Sequence, residues 1–229
     1  MYPNIEYQEI KGFGGAFTEA AADTLYKLSP ENREKVLKLY FDPEEGIGYN
    51  FGRVHINSCH FSLGNYTYVE EGDQTLETFD IQREEKVVIP MLKAAMKYNE
   101  IDIFASPWNP PAYMKTTNKM NCGGKLKEEY YELWAQYYIK FIEAYKERGI
   151  TISAINVQNE PKAVQKWYKK TGVIYEFFDS RDEVYPYQCE RKGKPTTPPD
   201  WRKQVHSISD FNWSSCFTLM FIQDELYLD

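Results

Sequence analysis

Two rhythms of apolar and polar positions alternate along the first 160 residues. Residues 10–17 (IKGFGGAF) read as a short strand, its glycines placed where the backbone must turn or pack closely. A helix follows in 28–41 (LSPENREKVLKLYF), with Ser29 as N-cap, Pro30 at the first helical position, and Val36, Leu39 and Tyr40 as its apolar face. Residues 47–58 (IGYNFGRVHINS) give the second strand. The stretch 79–98 turns helical in its later part, where Ile89, Leu92, Ala95 and Met96 recur and Pro90 marks an offset start. Residues 101–108 (IDIFASPW) form a third strand ending in a proline-rich loop. The clearest helix is 127–149, with Tyr130, Trp134, Tyr137, Phe141 and Tyr145 on one side and Gly149 closing it. The alternating, β-branched run of 151–160 (TISAINVQNE) reads as a buried fourth strand. This order predicts βα units around a parallel sheet, an α/β architecture. From about residue 168 the rhythm stops, and GKPTTPP marks a loop or linker.

Composition narrows the function classes. The net charge of −7 argues against a nucleic-acid partner, which needs clustered Lys and Arg. Basic and acidic residues are instead interleaved, as in QREEK (82–86) and KLKEEYYE (125–132), and read as solvated helix faces. Aromatic residues make up 16% of the chain, which suits stacking against sugar rings and suits a large core equally. Cys59, Cys122, Cys189 and Cys216 form no C-x-x-C pair, so neither a zinc site nor a disulfide framework is expected. No phosphate-binding glycine loop occurs, since GFGG lacks the required spacing, and no cofactor is expected. No apolar run is long enough to span a bilayer, so no transmembrane segment is expected. The opening residues do not form a signal peptide; either the chain is cytosolic or its own N-terminus lies upstream, and localisation stays unknown.

Candidate chemistry gathers at the strand ends, where parallel βα folds build their sites. Strand two runs into NSCHFS, strand three into SPWNPP and strand four into QNEP. Arg53 could hold a carboxylate in place from within strand two. Trp108 offers either a flat surface for a pyranose ring or ordinary packing. Asn159 could donate to a sugar hydroxyl. Glu160 is either a general acid or a carboxylate capping a following helix. His55 reads as a satisfied structural histidine and Cys59 as a small buried residue. His60 has no Ser or Cys nucleophile paired with it, which makes a hydrolase triad improbable.

Five ordered blocks, IKGFGGAFTEAAADTL, FDPEEGIGYNFGRVHINSCHFSLGNYTYVEEGD, FASPWNPPAYMKT, GGKLKEEYYELWAQYYIKFIEAY and INVQNEPKAVQKW, closely resemble glycoside hydrolase family 30 in its glucosylceramidase-like branch. The resemblance runs from about residue 10 to 167. It implies a (β/α)8 TIM barrel that cleaves a β-glucosidic bond with retention and needs no metal, with glucosylceramide or a related β-glucoside as substrate. On the same resemblance Glu160 would be the acid/base and Asn159 would contact the sugar 2-hydroxyl. Trp108 would border the glucose ring, Arg53 would support the catalytic carboxylates, and His60 with Phe61 would line the glucose subsite.

The chain departs from the family pattern in three places. The family usually carries aspartate where His60 stands, and histidine is not the same anionic acceptor. After Trp167 the expected continuation is displaced, with VYPYQC at 184–189 and WSSC at 213–216, as an insertion, a mis-joined segment or a divergent loop would produce. A full barrel runs to about 250 residues, and the family's nucleophile glutamate lies at the end of strand seven. None of Glu176, Glu183, Glu190 and Glu225 stands in a nucleophile context. The expectation is therefore a partial barrel of about four βα units over 1–167, with 168–229 an atypical insertion or tail. The chain alone would be inactive and could self-associate through open barrel edges. The alternative is a non-catalytic remnant acting as a carbohydrate- or partner-binding module.

Overall fold

The computed structural model describes residues 10–121 and 123–159; Glu160 and the 168–229 segment lie outside them. Four strands form one parallel sheet: β1 (Gly14–Ala16), β2 (Phe51–Ile56), β3 (Asp102–Pro107) and β4 (Ile152–Ile155), in the spatial order β1-β2-β3-β4. Between them run α1 (Glu19–Lys27), α2 (Pro30–Phe41), α3 (Gln82–Lys86), α4 (Val88–Ala95) and α5 (Tyr131–Glu147). The strand order never reverses. Because βα crossovers are right-handed, consecutive winding places every connecting helix on one side of the sheet, as in a barrel wall and unlike a doubly wound sheet. Contacts of α4 with both α1 and α2 agree with that layering.

Most elements follow from local chemistry. Ser29 Oγ accepts from Asn32 N at the start of α2, with Pro30 as its first residue. Pro90 sits in the first turn of α4, where its missing N–H costs no helical bond. Gly149, at φ +77°, ends α5 in the left-handed conformation. At Gly14 a Cβ would lie 1.4 Å from the Phe51 carbonyl oxygen, so β1 packs against β2 only with glycine there.

Four expectations need correcting. Helix α1 is absent from the hydrophobic pattern because its inward face consists of Ala22, Leu25 and the buried carboxylate Glu19. The Thr18 N-cap and the alanine-rich run were its available signals. On α2 the buried pair is Leu37 and Phe41, four apart on one face, with Val36 and Tyr40 packed beside them, while Leu39 is 54% exposed. Strand β4 is not buried: Ser153 and Ala154 are exposed, because among the described residues β4 pairs only with β3. QREEK is not a solvated face throughout, since Glu84 is 1% exposed.

That glutamate explains where many aromatic residues go. Its Oε1 accepts from the hydroxyls of Tyr66 at 2.6 Å and Tyr68 at 2.8 Å, and its Oε2 from Tyr145 at 3.4 Å. Around it Tyr68, Phe79, Tyr137 and Phe141 stack between α5 and the segment after β2, with ring centroids 5.0 to 6.0 Å apart. A buried carboxylate is tolerated here because phenol donors replace its water.

Replacing Glu84 by Ala strands three hydroxyls in the core and is expected to cost about 3 kcal/mol, read as a lower urea midpoint. Burial, foremost, holds Tyr66, Tyr68 and Tyr145 well above the ordinary tyrosine range, and the Glu84 carboxylate adds to it. In the unfolded chain these phenols ionise near 10. Their stabilisation is therefore complete below that pH and is lost above it, by about 1.4 kcal/mol per pH unit for each tyrosine. Urea unfolding at about pH 9 and about pH 11 measures the fall.

Candidate active site at the strand ends

The C-terminal ends of β2, β3 and β4 converge on Arg53. Its side chain leaves β2, and its Nη2 donates to Ser106 Oγ of β3 at 2.7 Å and to Asn159 Oδ1 beyond β4. Ser106 Oγ in turn donates to Asn156 Oδ1 at 2.8 Å. The backbone ladder continues past β4 through Asn159 N, which donates to Pro107 O at 2.9 Å. Register pairs Arg53 with Phe104 and His55 with Ser106, so the Arg53 side chain runs along the sheet toward the strand ends to reach residues 106 and 159. Because Arg53 can only donate, the Asn159 amide must turn Oδ1 toward it, which puts the Nδ2 donor on the opposite side.

The guanidinium also lies 4.2 Å from the centroid of the Trp108 ring. Trp108 is 7% exposed, so it is a packed residue with one face under Arg53 rather than an open platform. Its Nε1 donates to His60 Nδ1 at 3.0 Å. Since Trp108 can only donate, His60 Nδ1 holds the lone pair, and the neutral ring carries its proton on Nε2. Phe61 stands next to His60, ring centroids 6.1 Å apart. Arg53, His60, Phe61, Trp108 and Asn159 therefore form one contiguous group.

The loop carrying His60 and Phe61 is fixed from below by Glu19, a residue absent from the sequence reading. Its Oε2 accepts from Leu63 N at 2.7 Å, its Oε1 accepts from Arg83 Nε at 2.7 Å, and Ala20 N donates to Phe61 O at 2.8 Å. Ser106 and Asn156 were also missed. Both are polar residues interrupting apolar strand runs, and that interruption was the signal. Cys59 is a buried cysteine beside Ser62, whose Oγ accepts from Cys59 N at 2.9 Å. His55 is buried and donates from Nδ1 to Asn57 O at 2.7 Å, while its Nε2 makes no hydrogen bond; a carbonyl partner fixes the tautomer, so only half of the ring is satisfied. Among the described residues no group of His, Cys, Asp and Glu is arranged to hold a metal, and no helix is long and apolar enough to cross a membrane.

A model of the glycosyl hydrolase family 30 TIM-barrel domain matches residues 10–182. The chain belongs to glycosyl hydrolase family 30. Lysosomal acid glucosylceramidase of Mus musculus is 38% identical over 171 residues, which cover 71% of this chain and 33% of that protein. Among solved structures, SrfJ from Salmonella typhimurium superposes with a TM-score of 0.67 at 39% identity, over 77% of this chain and 38% of that one. The endo-β1,6-glucanase BT3312 follows with a TM-score of 0.65 at 30% identity, over 80% and 41%. The chain spans about a third of the length of the curated relatives it matches. The four parallel strands and their helices are thus part of a family 30 TIM barrel.

Arg53→Met keeps the aliphatic length but removes both hydrogen bonds and the ring contact, and is expected to destabilise the fold by about 2 kcal/mol in urea unfolding. Arg53→Lys is expected to recover less than half of that loss, because an ammonium does not stack flat on an indole.

Proposed function

We propose that the strand ends bind the glucosyl unit of a β-glucoside and that Glu160 is the acid/base of a retaining glycosidase site. The observation that carries this reading is the Arg53 guanidinium bonded to Asn159, the residue immediately before Glu160. A cation fixed there holds Asn159 in place, and it favours an ionised carboxylate nearby. Asn159 would donate through Nδ2 to the sugar 2-hydroxyl. Trp108, with one face covered, would meet the sugar by its rim, and His60 with Phe61 would line the outer hydroxyls. His60 supplies an N–H donor where an aspartate would accept, so the preferred hydroxyl pattern shifts toward groups that accept.

Names among the relatives support the bond class. Glucosylceramidases and β-1,6-glucanases both occur, and glucosylceramide is one candidate substrate for this chain. Retaining chemistry needs a second carboxyl about 5 Å from the first, one protonated and one ionised. A neighbouring anion would raise the pKa of Glu160 and keep it protonated at working pH. We take 1–167 as the N-terminal half of the barrel and 168–229 as an insertion or tail. In that reading the outer edge of β4 is where the barrel continues, through further strands or a second polypeptide. Binding and turnover are therefore separable in this chain.

The 229-residue chain is expected to bind a fluorogenic β-glucoside without releasing its fluorophore, and Trp108→Ala is expected to weaken that binding about tenfold or more. Release of fluorophore that Glu160→Gln abolishes would show that a second carboxylate reaches the site. Absence of binding by the folded chain would overturn the sugar-site reading.

A further inference from the structure

The turn after β3 that carries Trp108 is held by two side-chain amides on successive carbonyls. Asn57, just past β2, donates from Nδ2 to Asn109 O at 2.7 Å, and Gln158, past β4, donates from Nε2 to Trp108 O at 2.8 Å. Both residues are buried, Asn57 wholly. Trp108 N adds a longer bond to Ile56 O at 3.4 Å. The peptide that sets the direction of the indole is thus gripped from the strands on either side of its own.

Asn57 is built for this task at some conformational cost. Its φ is +62°, in the left-handed region that Asn enters more readily than most side chains. Its amide is oriented from the far side: Oδ1 accepts from the Tyr137 hydroxyl, and that same oxygen of Tyr137 accepts from Tyr68 N at 2.7 Å. Tyr137, fully buried on α5, therefore gives its proton to Asn57 and leaves Nδ2 no orientation other than toward Asn109 O. A chain of bonds runs from a helix on the outside of the sheet to the Trp108 turn.

We propose that Asn57 and Gln158 are positioning residues for the Trp108 indole, with Tyr137 setting the Asn57 amide. They touch no substrate; they fix the backbone from which Trp108 meets Arg53 and His60. The functional consequence rests on the sugar-site reading above, whereas the orientation of the indole does not.

Asn57→Asp isolates the donor. Aspartate tolerates the same φ and still accepts from Tyr137, but it sets a carboxylate oxygen against the Asn109 carbonyl. Gln158→Glu makes the equivalent change at the neighbouring carbonyl. The full chain, labelled with fluorotryptophan, is observed by fluorine NMR without sugar, the Trp108 signal being assigned from Trp108→Phe and the fold checked by circular dichroism. In either variant the Trp108 signal is expected to move or broaden while that of Trp134 stays in place. β-Glucoside affinity is expected to fall about tenfold in parallel. A Trp108 signal unchanged in a folded variant overturns the proposal, and so does loss of fold in both variants, which would mark the amides as structural. A moved signal in a chain whose wild type binds no β-glucoside sustains the positioning role and overturns only the sugar-site reading.

Discussion

One guanidinium joins what three strands deliver separately. Arg53 starts in the middle strand pair, reaches across β3 to Ser106 and arrives at Asn159 beyond β4, with the Trp108 ring beneath it. Its reach requires the parallel register to be right: Arg53 pairs with Phe104, and the ladder carries Asn159 N to Pro107 O. A slip of one residue in β2 would turn Arg53 to the other face of the sheet. The same slip would break the bond to Asn159. Pairing of backbone and convergence of side chains are therefore one constraint.

Around that point the fold separates support from contact. Glu19 pins the His60 loop from α1, and Asn57 and Gln158 grip the Trp108 turn from its neighbours. All three are buried. The residues that would meet a sugar keep their place because a layer beneath them has its polar atoms committed to the backbone. Buried polar groups hold one geometry well when their partners are fixed and poorly when they are not.

The strands and the long helix were legible because each depends on near neighbours in sequence, and the group at the strand ends because parallel βα folds gather their strand ends at one place. Short apolar runs marked Phe51–Ile56 and Asp102–Pro107, Pro30 followed Ser29, and Gly149 followed the last periodic aromatic. What escaped depends on residues far away. Glu84 reads as solvent-facing until Tyr145, 61 residues on, is brought against it. Leu39 fits a helical face by spacing, yet that face points outward once Leu37 and Phe41 meet the core. Helix α1 hides for a different reason, because its inward face sets a buried carboxylate beside Ala22 and leaves Leu25 as its one large buried apolar residue. The role of Asn57 could not be read from NSC at all, since it needs a positive φ and the hydroxyl of Tyr137, 80 residues away.

The tyrosine cage around Glu84 bears on how distant parts of the chain come together. Tyr66, Tyr68 and Glu84 are made early and lie close in sequence, but α5 provides both the third hydroxyl and the aromatic cover that excludes water. Without α5, the Glu84 carboxylate would lack its third hydroxyl and the aromatic cover of Tyr137 and Phe141. Closing that gap costs the entropy of a loop of about 60 residues, recovered only when the aromatic layer packs at once. The buried carboxylate thus ties the segment after β2 to α5, two parts of the chain about 60 residues apart.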